Sequence, residues 1–106
     1  PQDGLAPMKE LALERGWKFP FLFDAEQTVG KACRAACTPD FFAFDAQRRL
    51  AYRGRLDDSR PGSVVPVTGR DLRAALDSIL AGTAPAADQK PSVGCGIKWK
   101  AGVTPA

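Results

Sequence analysis

The stretch Cys37-Thr38-Pro39-Asp40-Phe41-Phe42-Ala43-Phe44-Asp45 places a thiol and a Thr-Pro bond directly before an aromatic strand. Proline fixes its own φ and disfavours helical backbone in the residue before it, so Thr38 is expected to be extended. A proline at the first position of a strand removes no ladder hydrogen bond. The stretch therefore predicts a loop whose backbone faces a ligand at the start of a strand, with the Cys37 thiol beside it.

The length and composition are those of one soluble globular domain. The 106 residues are 44% hydrophobic and 25% charged, which are ordinary values for a globular protein. No apolar run approaches the roughly 20 residues of a membrane-spanning helix, and the amino terminus does not resemble a signal peptide. The net charge of +3 comes from 15 basic residues scattered among 12 acidic ones. We therefore expect no membrane and no nucleic-acid partner, and the chain as given favours a cytoplasmic location.

Cysteine is the residue type on which redox chemistry would rest, because the chain has no histidine. Its absence removes Ser-His and Cys-His nucleophile pairs and the commonest transition-metal ligand. Three cysteines leave at least one thiol unpaired in the monomer, which favours a reducing compartment. Their spacing lacks the two close ligand pairs of a zinc site, and no phosphate-binding glycine motif occurs. We expect no metal and no cofactor.

Apolar periodicity predicts two helices in the first third of the chain. The first spans about residues 6–15 and ends at Gly16, which supplies a left-handed stop. The second spans about residues 25–36 and begins with a capping box formed by Asp24 and Gln27.

A β-hairpin is predicted in the middle of the chain. Residues 40–45 and 50–56 alternate in the manner of paired strands joined by a turn, whereas residues 21–23 are at best a brief or edge strand. The long loop 57–67 that follows carries more turn residues than a simple connection needs.

A third helix is predicted after this loop, with Thr68 and Asp71 at its start and Gly82 at its end. From residue 83 onward Ala, Pro, Gly and Lys dominate, which is typical of an extension that follows the surface. One two-stranded hairpin is too little sheet to cover the apolar faces of three helices. We therefore interpret residues 1–82 as a partial α/β domain that lacks its N-terminal strands, and residues 83–106 as an extension that packs on the surface or is partly mobile.

Four stretches, taken in order along the chain, resemble a known family. They are RGWKFP (15–20), ACTPDFF (36–42), YRGRLDDSRP (52–61) and PSVGCGIKWK (91–100). The chain resembles the later two-thirds of a peroxiredoxin-like member of the thioredoxin superfamily, of the AhpC/TSA type. The resemblance implies an α/β thioredoxin-like fold in truncated form, and a cis Thr38–Pro39 bond that faces the redox centre.

The resemblance also implies a redox partner for this loop. The family's attacking cysteine lies in a segment upstream of this chain, and no Cys-x-x-Cys occurs in the 106 residues. The implied substrates are a protein disulfide, a small-molecule disulfide or a peroxide. A thioredoxin-type protein would be the reductant, and a homodimer is compatible with the family.

Three thiols and one loop are the candidate site residues. Cys37 is either a resolving thiol or a packed apolar thiol, and Cys33 is a less favoured partner that fits core packing better. Cys95, between two glycines, suits either a resolving thiol or a small hydrophobe. Thr38 and Pro39 are the candidate substrate-binding residues.

The pair Asp57-Asp58 admits two interpretations. The first is general acid-base or cation chemistry, and the second is a solvated loop whose carboxylates cap backbone amides or pair with Arg60. We favour the second. For the whole chain we predict a thiol-disulfide oxidoreductase or a peroxiredoxin-like antioxidant protein. The alternative is a redox-inactive interaction module with the same fold.

Overall fold

The computed structural model describes residues 4–103. The helices are α1 (Leu5–Arg15), α2 (Thr28–Ala32) and α3 (Arg70–Leu80), and the strands are β1 (Cys37–Thr38), β2 (Phe41–Phe44), β3 (Leu50–Gly54) and β4 (Cys95–Gly96). The strands form two antiparallel pairs, β2 with β3 and β1 with β4. The predicted mixed α/β class is confirmed at this level. The outer ends of both predicted ranges, 1–82 and 83–106, lie outside the described residues.

Helix α1 ends as its sequence predicts. Gly16 adopts the left-handed conformation (φ 64°), and the amides of Gly16 and Trp17 donate to the carbonyls of Leu13 and Ala12. This pattern closes the last turn of a helix and favours glycine, which has no Cβ to clash. The residues that follow form no strand: the rings of Trp17 and Phe19 lie 5.2 Å apart in a surface cluster.

Helix α2 is much shorter than the predicted span of 25–36. Asp24 does cap it, because its carboxylate accepts the amides of Val29 (3.3 Å) and Gly30 (2.8 Å). The capping-box prediction for Gln27 is wrong, since Gln27 has left-handed backbone (φ 58°) and its side chain lies on the C-terminal tail. Arg34, at φ 58°, takes the chain out of the helix. The predicted helix was too long because the spacing of apolar residues carries no information on the left-handed backbone at Gln27 and Arg34.

The β2–β3 hairpin holds the core. Its strands agree with the predicted ones, and the register pairs Ala43 with Tyr52. Ala43 and Tyr52 are buried together with Ala75 of α3. The partly buried side chains packed against them are Phe41, Leu72 and Ile79. Helix α3 therefore covers one face of a two-stranded ribbon, which alone would be marginal in water.

The N-terminal cap of helix α3 is Gly69, one residue later than the predicted Thr68. Gly69 is the residue before the helix and is left-handed (φ 72°), while the Thr68 hydroxyl accepts the amide of Arg70 at 3.2 Å. Asp71 does not complete a capping box, because its carboxylate accepts Nε of Arg55 at 2.6 Å. This hydrogen bond is the main reason that the pKa of Asp71 is lowered.

The C-terminal segment crosses the hairpin and returns to β1. Arg55 donates its amide to the Lys90 carbonyl at 3.0 Å, and the Gln89 side chain bonds to the backbone of Arg53 and Ala51. A Cβ on Gly54 would strike the Lys90 carbonyl, so the close approach of the tail requires glycine there. Residues 89–96 are thus hydrogen-bonded to both sheets. Between residues 4 and 103 there is no helix with the length and apolar character needed to cross a membrane.

Candidate functional site

Two of the three cysteines lie on the paired strands β1 and β4. Cys37 pairs with Gly96 and Thr38 pairs with Cys95. Directly opposed residues share one face of a ladder and successive residues alternate, so Thr38 and Cys95 share one face and Cys37 projects from the other. Thr38 and Cys95 are exposed, whereas Cys37 is half-buried. The ladder therefore presents a threonine and a free thiol side by side.

The predicted substrate-binding residues lie at the end of this ladder. The Thr38–Pro39 bond is cis, the isomer that the family resemblance implies, and Pro39 is exposed. A Cβ on Gly94 would fall inside contact distance of the Thr38 carbonyl. Glycine at this position thus allows the tail backbone to lie against Thr38.

Cys37 lines a cavity of about 290 Å³, together with Asp40, Arg53 and Ser92. Its sulfur lies 3.8 Å from the carbonyl oxygen of Pro39. The position is half-buried, so the two interpretations of Cys37, a resolving thiol and a packed thiol, are both compatible with the geometry.

Asp40 is the residue that fixes this region. Its carboxylate accepts the Ala36 amide (3.2 Å) and lies 3.0 Å from the Ser92 hydroxyl, which is also 2.7 Å from the carbonyl of Gly54. The guanidinium of Arg53 is 3.6 Å from Asp40. One buried carboxylate thereby connects the segment before β1, the hairpin and the tail.

Cys33 takes no part in this network. It is the half-buried residue that ends α2, and all three cysteines are free.

Cys95 is the thiol placed beside Thr38. From the sequence it could have been either a resolving thiol or a small packed hydrophobe. Its partner strand lies 57 residues earlier in the chain, so no short motif announces the contact.

A larger cavity, called the Pro39 cavity below, shares the tail residues Pro91 and Ser92 with the smaller one. It has a volume of about 580 Å³. Its walls are Pro39, Phe41, Arg55, Leu56, Asp57, Ser59, Arg60, Pro61, Val67, Lys90, Pro91, Ser92 and Val93. It therefore begins at the cis proline and extends along the loop after β3.

Asp57 caps backbone amides of that loop, as the favoured interpretation predicted. It is buried rather than solvated, and among the described residues neither Asp57 nor Asp58 forms the ion pair with Arg60 that the same interpretation allowed. The Thr68 and Gly69 amides donate to its Oδ2 at 2.7 and 2.6 Å, and the Ser59 amide and hydroxyl donate to Oδ1. The Ser59 hydroxyl, followed by the Gly69 amide, holds the pKa of Asp57 far below its ordinary value. Asp58 instead lies 3.9 Å from Arg70.

Within residues 4–103 no cluster of acidic or cysteine side chains is arranged to hold a metal ion.

These features define a small mixed α/β protein with a thiol-bearing ladder at the edge of a cavity. The chain is similar to a hypothetical protein from Sinorhizobium meliloti 1021, whose crystal structure matches 96% of this chain and 56% of that one, at 51% identity and a TM-score of 0.90. It is also similar to an uncharacterized conserved protein from Geobacillus kaustophilus, matched over 97% of this chain and 55% of that one, at 52% identity and a TM-score of 0.89.

The chain thus spans a little more than half the length of both solved relatives. Neither a protein-family model nor a curated protein matches it. Neither relative is named for an activity, so the thioredoxin-like resemblance stays a prediction.

Proposed function

We propose that this chain is the substrate-facing part of a thiol-disulfide oxidoreductase or peroxiredoxin-like protein with a thioredoxin-like fold. The observation that carries the proposal is the exposed face of the β1–β4 ladder. There Thr38, followed by Pro39, stands opposite the free thiol of Cys95. Exposed side chains beside a free thiol leave room for a substrate sulfur to be positioned next to that thiol, as thiol exchange requires.

Each group has a distinct role in the proposal. Thr38 and Pro39 hold the backbone of the substrate in an extended form. The attacking cysteine belongs to a segment outside this chain, as the resemblance implies. Cys95 lies on the same face as Thr38 and is therefore the better placed resolving thiol, with Cys37 the second candidate behind the ladder.

The exchange has two steps. An attacking thiolate forms a bond to one sulfur of the substrate disulfide, and the other sulfur leaves as a thiolate that takes a proton from water. A second thiolate then attacks the protein sulfur of the mixed disulfide and releases the remaining substrate thiolate. The substrate gains two electrons and the protein gains one disulfide, which a thioredoxin-type dithiol reduces.

Thiol mapping tests the proposal on the chain itself. The folded chain is exposed to oxidised glutathione, remaining thiols are alkylated, and each cysteine is quantified by peptide mass spectrometry. Exchange at Cys95, and secondarily at Cys37, is expected to be faster than at the same residues in the urea-unfolded chain. Cys33 should be slower when folded, because it ends a helix and is half-buried.

Serine variants separate the candidates. Cys95→Ser should remove the fast phase, whereas Cys33→Ser is the matched control and should retain it. Three thiols that all react more slowly in the folded chain than in the unfolded one would contradict the proposal. That result would favour the redox-inactive interaction module.

A further inference from the structure

The Pro39 cavity has the size of a small-molecule site. Its volume of about 580 Å³ falls within the roughly 300–1,000 Å³ of such sites. One wall is apolar: Phe41 packs against the core cluster, and Val67 and Val93 face the cavity while 74% and 55% exposed. A ligand with an apolar body would remove these two side chains from water.

The lining also carries cationic side chains. Arg55, Arg60 and Lys90 line the cavity, against a single carboxylate, Asp57. Asp57 is occupied by the donors of its own loop, as described above. Arg55 is bound to Asp71 at 2.6 Å, and Lys90 lies 3.0 Å from Asp88.

Arg60 differs from these two cations. Among residues 4–103 it has no carboxylate within ion-pair distance. Its backbone is nevertheless held, because the Ser63 amide donates to the Arg60 carbonyl at 2.9 Å and Gly62 has a φ of 77°. Pro61 and Gly62 thus occupy the central positions of a type II turn. A cation without a partner is presented at the cavity from a fixed turn.

We propose that the Pro39 cavity binds a small organic acid with an apolar body. The body lies against Phe41, Val67 and Val93, and the carboxylate binds the guanidinium of Arg60. An arginine fork matches a carboxylate with two parallel hydrogen bonds, which gives this ligand class an advantage over a neutral one. The loop is already ordered by Asp57, so little ordering is needed on binding.

This site has a consequence for the substrate of the proposed function. The cavity begins at Pro39, so a substrate held at Thr38–Pro39 would place the group attached to its sulfur in the cavity. The substrate class would then be disulfides that carry a carboxylate on an apolar group. This step rests on the proposed function, whereas the binding of the acid does not.

The test uses two unreactive probes of the same shape. The full chain, labelled with ¹⁵N, is titrated with 3-phenylpropanoate and with 3-phenylpropanamide, and amide shifts are followed by NMR. Saturable shifts at Phe41, Val67 and Val93 are expected for the carboxylate, with a Kd of about 1 mM. The amide should bind about three to ten times more weakly.

Variants of one side chain check the role of charge. Arg60→Gln should weaken the carboxylate about three to ten times and leave the amide unchanged, while Arg60→Lys should recover part of the loss. Arg15→Gln, at an exposed position in the last turn of α1, is the matched control and should bind like the unaltered chain. Circular dichroism verifies that each variant is folded.

Three results would overturn the proposal: no saturable shift at these residues, equal binding of the two probes, or an equal loss in Arg15→Gln. None of them bears on the thiol-mapping experiment, which uses no carboxylate selectivity and reads only sulfur exchange. Failure of the cavity and failure of the redox proposal are therefore distinguishable.

Discussion

At the scale of single residues, Asp57 shows how a carboxylate can be read correctly from sequence. An acidic residue in a Ser- and Gly-containing loop is expected to accept backbone amides, and Asp57 accepts three, from Ser59, Thr68 and Gly69. The Thr68 bond closes the loop, since it joins residues that are 11 positions apart in the chain. The chemistry of the residue type was enough to predict this role, although not the donors.

Asp57→Asn is expected to destabilise the chain. An amide replaces one acceptor oxygen by a donor, which then faces backbone N–H groups. We expect the melting temperature at pH 7 to fall by roughly 5 °C or more. Asp58→Asn is the control, because that side chain is 42% exposed and its cation is 3.9 Å away. Equal melting temperatures for both variants would contradict the assigned role.

The same carboxylate predicts a pH dependence. Because the folded pKa of Asp57 lies below its unfolded value, its contribution to stability is present above the unfolded pKa of about 3.9. It is lost progressively as the pH falls from there toward the folded pKa. Urea unfolding at pH 6, 4 and 3 should therefore show a steeper acid decline for the unaltered chain than for Asp57→Asn. Parallel declines would show that Asp57 is not a source of the acid sensitivity.

At the scale of elements, the sequence predicted the features that depend on residues close together in the chain. Gly16 and Gly82 ended their helices, and the alternating pattern gave the hairpin. The pairing of β1 with β4 joins residues far apart in the chain and rests on a two-residue contact, for which periodicity offers no signal. The site therefore had to be seen in three dimensions, because Cys95 reaches Thr38 only through this pairing.

Gly94→Ala should open the β1–β4 ladder. The new methyl group would meet the Thr38 carbonyl, a backbone atom that cannot rotate away. We expect a loss of about 1–3 kcal/mol in the free energy of unfolding, or local release of the tail. Faster hydrogen exchange at the Cys95 and Gly96 amides would report the release.

Gly96→Ala is the matched control for this change. A Cβ on Gly96 meets no atom within 4 Å, so its exchange rates and stability should stay close to those of the unaltered chain. If Gly94→Ala were tolerated equally well, the close approach of the tail to Thr38 would be wrong.

Gln27→Ala should release the last described part of the tail. The Gln27 side chain donates to the Lys98 carbonyl at 3.0 Å and accepts the Lys100 amide at 2.6 Å. Loss of both exposed bonds is expected to cost about 0.5–1.5 kcal/mol locally. Hydrogen exchange at Lys100 should accelerate about two- to tenfold, whereas Gln47→Ala, in the hairpin turn, should leave it unchanged.

At the scale of the whole molecule, the chain buries little of its apolar surface. The radius of gyration is 15.3 Å, against about 13 Å expected for a compact domain of this length. No large side chain of the described residues is fully buried. The sequence predicted this low burial, because one hairpin cannot cover the apolar faces of three helices. The exposed apolar surface is also the physical reason for predicting that the chain is part of a larger domain. The sequence does not indicate what would cover this surface, because exposed apolar side chains favour burial without specifying the covering group.

The exposed segment that follows α1 predicts self-association of the isolated chain. Phe19, Phe21 and Leu22 are 58%, 39% and 83% exposed, and the ring of Phe21 stacks edge-on against Trp17 at 5.2 Å. A contiguous aromatic surface of this kind favours burial against a second copy when no other partner is present. Sedimentation velocity should show a shift toward dimers as concentration rises.

A single serine substitution distinguishes this surface from general stickiness. Leu22→Ser should weaken association about three- to tenfold, since it removes roughly one exposed leucine from the contact, and circular dichroism should not change because the side chain supports no core residue. Val64→Ser is the control: Val64 is fully exposed but lies in the loop after β3, away from the aromatic segment in sequence, so its effect should be small. A chain that stays monomeric at all concentrations, or one in which both variants act alike, would show that the segment after α1 is not the surface that drives association.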